Sequence, residues 1–422
     1  MVLYPQVYRR EYRTSVLDRL HAGQTRLDRS YPPEVSYATL PPLPAPVRKV
    51  GAPLAAIIGL GTLVALILSL LTAVNPGGTV LGFGLATSSM ALVVACYLWL
   101  DRWEPEPPRL LVLAFLWGSS IAVLGSIVVE HVIDSALPGS SPAATPGAEA
   151  TASFATIAVG APVVEEAFKG LFLLLMMTGR RRAELNTLTD CLVYAGLTAA
   201  GFAWIENIFY IANGETLVGS LTVAGLRLVL APFAHPLFTT MIGIGVYYAM
   251  HQHNRVAKVA YLVAGYTAAV VMHGLWNGSA LMGASAYLGV YVLWMMPIFA
   301  LAITVAVVSR RRERRIITAQ LPAMVAGGLV APQEAPWLAS IPARKLAVAT
   351  ARRHGGRPAG SAVKRFVQQV IELAYVRDRI DRGFGDPRVF ALQNEEAHRV
   401  AEYRAAAGPA LYQLGGYRFP VR

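Results

Sequence analysis

Two adjacent carboxylates precede a lysine in an otherwise apolar stretch of this chain. They are Glu165 and Glu166, and the lysine is Lys169. On a helix, Lys169 lies within reach of both glutamates, but its single charge can fully neutralise only one of them. The other carboxylate must be protonated, hydrated or paired with a different group. Such a group can act as a general base or acid, whereas the alternative interpretation is a buried ion pair that fixes helix packing.

The next apolar segment carries a further acidic group, Glu206, beside the amide of Asn207. Small residues at positions 196–201 precede them and predict a close approach by a neighbouring helix. Arg227 follows in the next apolar segment and is placed to pair with Glu206. By themselves, Glu206 and Asn207 fit a polar site and a simple polar contact between helices equally well.

Two histidines lie in the apolar segments that follow. His235 precedes Pro236, which removes a backbone hydrogen bond and can open a helix locally. His273 and Asn277 are four residues apart, so they share one helix face. An imidazole and an amide on one face can stabilise an oxyanion, orient a water or help to bind a metal. The plainer interpretation of each is a hydrogen bond between helices.

Membrane helices must position these residues, because the composition is too apolar for a soluble domain. Hydrophobic residues make up 55% of the chain and charged residues 15%, against roughly 25% charged residues in soluble domains. A span needs roughly 20 mostly apolar residues. The segments that meet this requirement are 51–73, 79–100, 110–133, 153–177, 188–212, 221–249, 257–281 and 286–308. The predicted fold is therefore all-α, a polytopic membrane bundle of about eight transmembrane helices with a small cytosolic helical tail.

The charges of the connecting segments predict the orientation of this bundle. Lys and Arg are missing from one set of connections, namely 74–78, 134–152, 213–220 and 282–285. The connections on the opposite side are rich in arginine, so the positive-inside rule places both termini in the cytoplasm. We expect a multi-pass protein of the plasma (cell) membrane. The net charge of +12 then belongs to a face next to anionic lipid and does not predict nucleic-acid binding.

Three regions follow from this pattern. Residues 1–49 form a polar cytosolic segment that is Pro-rich at its end, 50–308 form the membrane domain, and 309–422 form a basic cytosolic tail. The tail contains amphipathic helical stretches at 361–382 and 388–406. We expect it to pack on the membrane face or to bind a cytosolic partner.

Taken together, these motifs resemble the PrsW family of intramembrane proteases, which is related to the CAAX-processing and bacteriocin-processing membrane proteases. The resemblance covers roughly residues 50–308. It lies in Glu165-Glu166-x-x-Lys169, Phe202-x-x-x-Glu206-Asn207, His235 after an apolar run, His273-x-x-x-Asn277, and the acidic, proline-rich turn from Asp101 to Pro107.

The resemblance implies a peptidase of the site-1 type that cuts a membrane-anchored protein, such as an anti-sigma factor, with a glutamate-activated water. Glu165 or Glu166 would activate the water, His235 and His273 would hold the catalytic centre, and Asn277 would stabilise the oxyanion. The implied catalytic set is Glu165, Glu166, Lys169, Glu206, Asn207, His235, His273 and Asn277.

The resemblance leaves the role of a metal open. Glu166, His235 and His273 would be a suitable Zn²⁺ set with an open fourth position, and glutamate-activated water without a metal is the alternative. A proton-coupled transporter would also place ionisable groups in the membrane, but it would be expected to show matching halves. A non-catalytic membrane scaffold that holds a partner of the tail is the third hypothesis.

Overall fold

The computed structural model describes residues 53–136 and 154–415. All of these belong to one compact unit. The predicted N-terminal segment 1–49, most of the connection 134–152 and the last seven positions, 416–422, lie outside the described residues.

Helices joined by short turns make up the membrane domain. In chain order they are α1 (Leu54–Val74), α2 (Pro76–Leu100), α3 (Pro108–Trp117), α4 (Val123–Ala136), α5 (Ala161–Met176), α6 (Leu188–Ala212), α7 (Leu217–Ala224), α8 (Ala234–Met250), α9 (Arg255–Leu281), α10 (Ala284–Val290) and α11 (Met296–Ala326). Wider π-helical turns interrupt several of them, at Gly118–Ala122, Thr156–Gly160, Gly225–Leu230 and Tyr291–Met295.

Local sequence signals set where these helices begin. The Asn75 side chain accepts a hydrogen bond from the backbone nitrogen of Gly78 at 2.9 Å and so caps the start of α2. Thr187 and Asp190 form a reciprocal capping box at the start of α6. Pro108 occupies the first position of α3, where its missing N–H costs nothing.

Within the described ranges, seven helices are long and apolar enough to cross a membrane, which confirms the polytopic helical bundle. The predicted span 153–177 is not among the seven because Glu165, Glu166 and Lys169 make it too polar. It is nevertheless helical, through the π turn Thr156–Gly160 and α5. The last span continues beyond its predicted end at 308 as one unbroken helix, α11.

Helix α6 occupies the centre of the bundle, and almost all of its residues are buried. It packs against α2, α3 and α8. A Cβ atom on Gly201 would lie 2.0 Å from the backbone oxygen of Phe115, so α3 and α6 approach as closely as the small residues at 196–201 predict.

Helices α8 and α9 also pack along each other at very short range. A Cβ atom on Gly245 would lie 2.6 Å from the oxygen of Tyr261, and one on Gly265 would lie 2.6 Å from the oxygen of Met241. The two backbones therefore touch where both glycines lie, and this contact fixes the helices that carry the two histidines.

The tail forms a small helical unit with its own apolar core. Its helices are α12 (Ala335–Leu338), α13 (Ile341–Asp381), kinked at Gly356 where φ is +72°, and α14 (Pro387–Leu414). The predicted helical stretches 361–382 and 388–406 fall almost entirely within α13 and α14. Trp103, from the loop between α2 and α3, is 8% exposed and belongs to this core. The tail therefore packs on the face of the bundle that carries this loop.

Candidate active site

Six of the predicted site residues meet in one buried, hydrogen-bonded cluster built by four helices. They are Glu165, Glu166 and Lys169 on α5, Glu206 on α6, His235 on α8 and His273 on α9. Helix α6 packs against α8, and α8 packs against α9. These contacts bring the side chains of the cluster together.

Lys169 lies at the centre of the cluster and is fully buried. Its ammonium donates to Glu165 Oε2 at 2.9 Å and to Glu166 Oε1 at 3.0 Å. The same Nζ lies 3.2 Å from His235 Nδ1 and 3.7 Å from the ring centroid of Phe202. Because one ammonium contacts both carboxylates, the glutamate pair keeps an excess negative charge that must be balanced elsewhere.

Glu166 is held from three sides. Besides Lys169, its Oε1 lies 3.2 Å from His273 Nδ1, and its Oε2 accepts from the Thr239 hydroxyl at 2.7 Å. The carboxylate is completely buried. These partners leave Glu166 a single orientation, which is the preorganisation that a catalytic base needs.

Glu165 faces the two histidines. Within the described part of the chain, Glu165, His235 and His273 form the one group of three or more His, Cys, Asp or Glu side chains whose possible metal-ligand atoms all lie within 4.8 Å of one another. The set predicted from sequence has Glu166 in place of Glu165. The two glutamates differ because Glu166 is also engaged by Thr239 and by His273 Nδ1. Two imidazoles and a carboxylate are donors that zinc prefers, and three protein ligands leave a fourth position open.

Glu206 supports His235 from the other side. Its Oε2 lies 2.6 Å from His235 Nε2 and forms an ion pair with the guanidinium of Arg227. Arg227 Nε also donates to Asn207 Oδ1 at 2.7 Å. The predicted pairing of Arg227 with Glu206 is therefore confirmed. Since the Lys169 ammonium donates to Nδ1, His235 carries its proton on Nε2 and donates it to Glu206.

Aromatic packing fixes the two imidazole rings. Phe238 stacks on His273 with ring centroids 4.8 Å apart and an angle of 18° between the planes. His235 meets His273 edge to face at 5.0 Å. Rings held in this way keep their nitrogen atoms directed at the carboxylates.

Asn277 lies one turn after His273, as its spacing predicts, but its amide is used outside the cluster. Its Nδ2 donates to the backbone oxygen of Ile157 at 3.1 Å, in the π turn before α5. A Cβ atom on Gly274 would lie 2.4 Å from the oxygen of Ala158 in the same turn. This part of α9 therefore holds the beginning of the helix that carries the two glutamates.

Two residues of the site were missed by reasoning from sequence. Thr239 lies four positions after His235 on the same helix face, so its hydroxyl was a detectable signal. Phe238 looks like any other apolar residue of a span, and its contact with His273 depends on how α8 and α9 pack.

The charges of the cluster suit a cation. Glu165, Glu166 and Glu206 face Lys169 and Arg227, so the site carries one net negative charge when the three carboxylates are ionised and both histidines are neutral. A buried excess of negative charge is costly unless another cation or a proton balances it.

A comparison with known protein families matches residues 106–302 of the chain to the model described as PrsW family intramembrane metalloprotease. The matched region contains every residue of the cluster and excludes α1, α2 and the tail helices. No curated protein and no solved structure gives a significant match.

Proposed function

Residues 106–302 match the model of the PrsW family of intramembrane metalloproteases, and we propose that this chain belongs to that family and that the buried cluster is its peptidase active site. The protein is a multi-pass membrane peptidase, and its substrate is a membrane protein in the same bilayer. The observation that carries the proposal is the meeting of Glu165, His235 and His273 within 4.8 Å beside the firmly held Glu166.

The family implies a metal, and we propose that it is Zn²⁺ held by Glu165, His235 and His273. Bound there, the ion would supply Lewis-acid polarisation of the scissile carbonyl and a nucleophilic water at neutral pH. The donor set and the net negative charge of the cluster support this assignment. Lys169 contacts two of the three donors, so its ammonium and the ion compete for Glu165 and His235.

Glu166 is the proposed general base. As water attacks the peptide carbonyl, Glu166 accepts the proton of the water and then delivers it to the amine as the C–N bond breaks. Thr239, Lys169 and His273 hold the carboxylate in place for both transfers. We assign the metal ligand and the base from their surroundings. Glu165 faces both histidines, whereas Glu166 is held by hydrogen bonds to Thr239 and His273.

The remaining residues have supporting roles in this proposal. Glu206 and Arg227 orient His235 through its Nε2 proton, and Asn207 holds the guanidinium. The resemblance assigns oxyanion stabilisation to Asn277. One of its two amide hydrogens is used on Ile157, so the second is the proposed oxyanion donor.

The substrate that we propose is a membrane-anchored protein of the anti-sigma-factor type, cut near the external face of the plasma membrane. The resemblance to the PrsW family supports this substrate class, and the arginine-rich connections support an orientation with both termini in the cytoplasm. A cytosolic partner of the tail fits the same orientation.

The test is cleavage of co-expressed single-span membrane proteins by the wild type and by variants at matched expression. A fragment is expected with the wild type and with the control Glu215→Gln, which removes an exposed carboxylate in the connection 213–220. It should disappear with Glu166→Gln and with His273→Ala. If those two variants cut as well as the wild type, the cluster is not the active site.

A further inference from the structure

A polar cavity lies where the tail meets the bundle, on the face of the membrane domain that carries the arginine-rich connections. Its volume is about 240 Å³. The bundle contributes the turn before α6, the loop after α8 and the first residues of α9, and the tail contributes the end of α13 and the loop that follows it. The peptidase proposal uses none of these residues.

Positive charge dominates the lining of this cavity. Four permanent cations contribute to it, Arg182, Lys258, Arg379 and Arg382, against a single carboxylate, Asp386. That carboxylate is already engaged, because Asp386 Oδ1 accepts from the backbone nitrogens of Arg388 and Val389, each at 2.9 Å, at the start of α14.

Part of this charge is paired. Asp378 pairs with Arg382, with Nε and Oδ2 2.7 Å apart. Burial lowers the pKa of Arg379, and the charges of Arg182 and Arg382 lower it further. Arg182 Nε is buried, and no partner for it lies within the described ranges. The guanidinium groups therefore repel one another, and a bound anion would remove that cost.

Arg382 and the rings of the lining are held in place by neighbouring residues. Arg382 Nη1 donates to His251 Nε2 at 2.7 Å, and His251 in turn donates from Nδ1 to the oxygen of Tyr247 at the same distance. The ring of Phe384 stacks on His253 with centroids 4.9 Å apart and an angle of 11°. The lining is thus prearranged by contacts between the bundle and the tail.

We propose that this cavity binds a phosphate group, carried either by an anionic lipid headgroup or by a soluble phosphate compound. Guanidinium groups offer paired N–H donors that match phosphate oxygens, and a lysine adds a point charge. Since both the bundle and the tail supply cations, the bound phosphate links the two parts and stabilises the tail against the membrane domain.

The experiment measures thermal unfolding of the purified full-length protein with two probes. Inorganic pyrophosphate is titrated at constant ionic strength in neutral detergent, and nanodiscs of phosphatidylcholine are compared with nanodiscs that also contain phosphatidylglycerol. The variants are Arg379→Gln and Lys258→Gln. The control is Arg365→Gln, an exposed arginine of α13 outside the cavity.

A probe should raise the Tm of the wild type and of Arg365→Gln. The variants Arg379→Gln and Lys258→Gln should need about a tenfold higher probe concentration for the same rise in Tm. A response to pyrophosphate identifies a soluble source, and a response to phosphatidylglycerol alone identifies lipid. The proposal fails if neither probe raises the Tm of the wild type, or if both cavity variants respond as the control does. Lys258 is half-exposed, so its variant still decides the matter if Arg379→Gln does not fold. Peptidase activity is not measured, so the result is independent of the proposed active site.

Discussion

At the scale of single residues, the two adjacent glutamates of α5 are distinguished by their neighbours. Glu166 is completely buried and held by Lys169, Thr239 and His273, whereas Glu165 is 7% exposed. Consecutive helical residues point roughly 100° apart. One of them can therefore contribute to a metal set while the other acts beside it as a base.

This difference predicts opposite effects of two substitutions. Glu165→Gln should lower the zinc content of the purified protein at least about tenfold, because it removes a charged ligand. Glu166→Gln should keep the zinc and lower peptidase activity about 100-fold or more, the range lost with a general base. Zinc per protein is measured by elemental mass spectrometry, and activity by fragment formation.

The control for this pair is Glu215→Gln, an exposed glutamate whose removal should change neither quantity. Equal loss of zinc in Glu165→Gln and Glu166→Gln would mean that the two carboxylates share one role. Retention of zinc in both would remove Glu165 from the ligand set.

The sequence identified the residue types of the site well, because ionisable groups are costly inside a membrane and stand out there. It put Lys169 within reach of both glutamates, and it paired Arg227 with Glu206. It could not choose between Glu165 and Glu166, because that choice depends on the rotation of α5 about its axis, which neighbouring helices set.

At the scale of elements, close helix contacts position the histidines. Helices α8 and α9 touch at Gly245 and Gly265, and the next turns of α9 pack against the π turn before α5. The alternation of apolar and polar segments predicted the helices themselves. The π turns were not predicted, since their wider hydrogen-bond pattern arises from packing and leaves no clear sequence signal.

The contact between α8 and α9 predicts a cost for any side chain at Gly265. A Cβ atom there would lie 2.6 Å from the oxygen of Met241, so Gly265→Ala must push the helices apart. We expect a loss of about 1–3 kcal/mol in the free energy of unfolding and a parallel loss of peptidase activity. Thermal unfolding in detergent and the cleavage assay measure the two effects.

Gly84 provides the matched control. It lies on α2 with an exposed surface, and a Cβ atom there would have nothing within 4 Å. Gly84→Ala should leave the Tm unchanged or slightly higher, since alanine favours the helix. If Gly84→Ala and Gly265→Ala lower the Tm equally, the close contact does not limit the packing.

At the scale of the whole molecule, the loop between α2 and α3 packs against both the membrane domain and the tail. Trp103 lies in the tail core, with the guanidinium of Arg344 4.9 Å from its ring centroid. Asp101 and Glu106, in the same loop, are buried, and Glu106 Oε2 accepts from the hydroxyl of Tyr194 at 2.7 Å. The burial of this acidic, proline-rich turn could not be predicted from sequence, because the tail that covers it is far away in the chain.

Burial of this loop predicts that the stability of the folded protein falls as the pH rises. Burial, assisted by the charge of Asp190, raises the pKa of Asp101 from its ordinary value of 3.8 to about 8. Between these values the unfolded chain has released the proton and the folded protein retains it, so each step upward in pH favours unfolding. Below this window both states are protonated, and above it both are ionised, so the effect is confined to the interval.

Asp101→Asn should remove this dependence, because the amide is uncharged at every pH. Its backbone contact can persist, since the side-chain oxygen can still accept from the nitrogen of Glu106, which lies 3.0 Å from Asp101 Oδ2. We expect the variant to exceed the wild type in Tm by a few degrees at pH 8 and by much less at pH 5. Glu402→Gln, an exposed change in α14, should give the same small difference in Tm at both pH values.

A difference in Tm between Asp101→Asn and the wild type that stays constant or narrows from pH 5 to pH 8 would mean that Asp101 is ionised in the folded protein. The contact between the tail and the bundle would then have to accommodate a buried charge rather than exclude it.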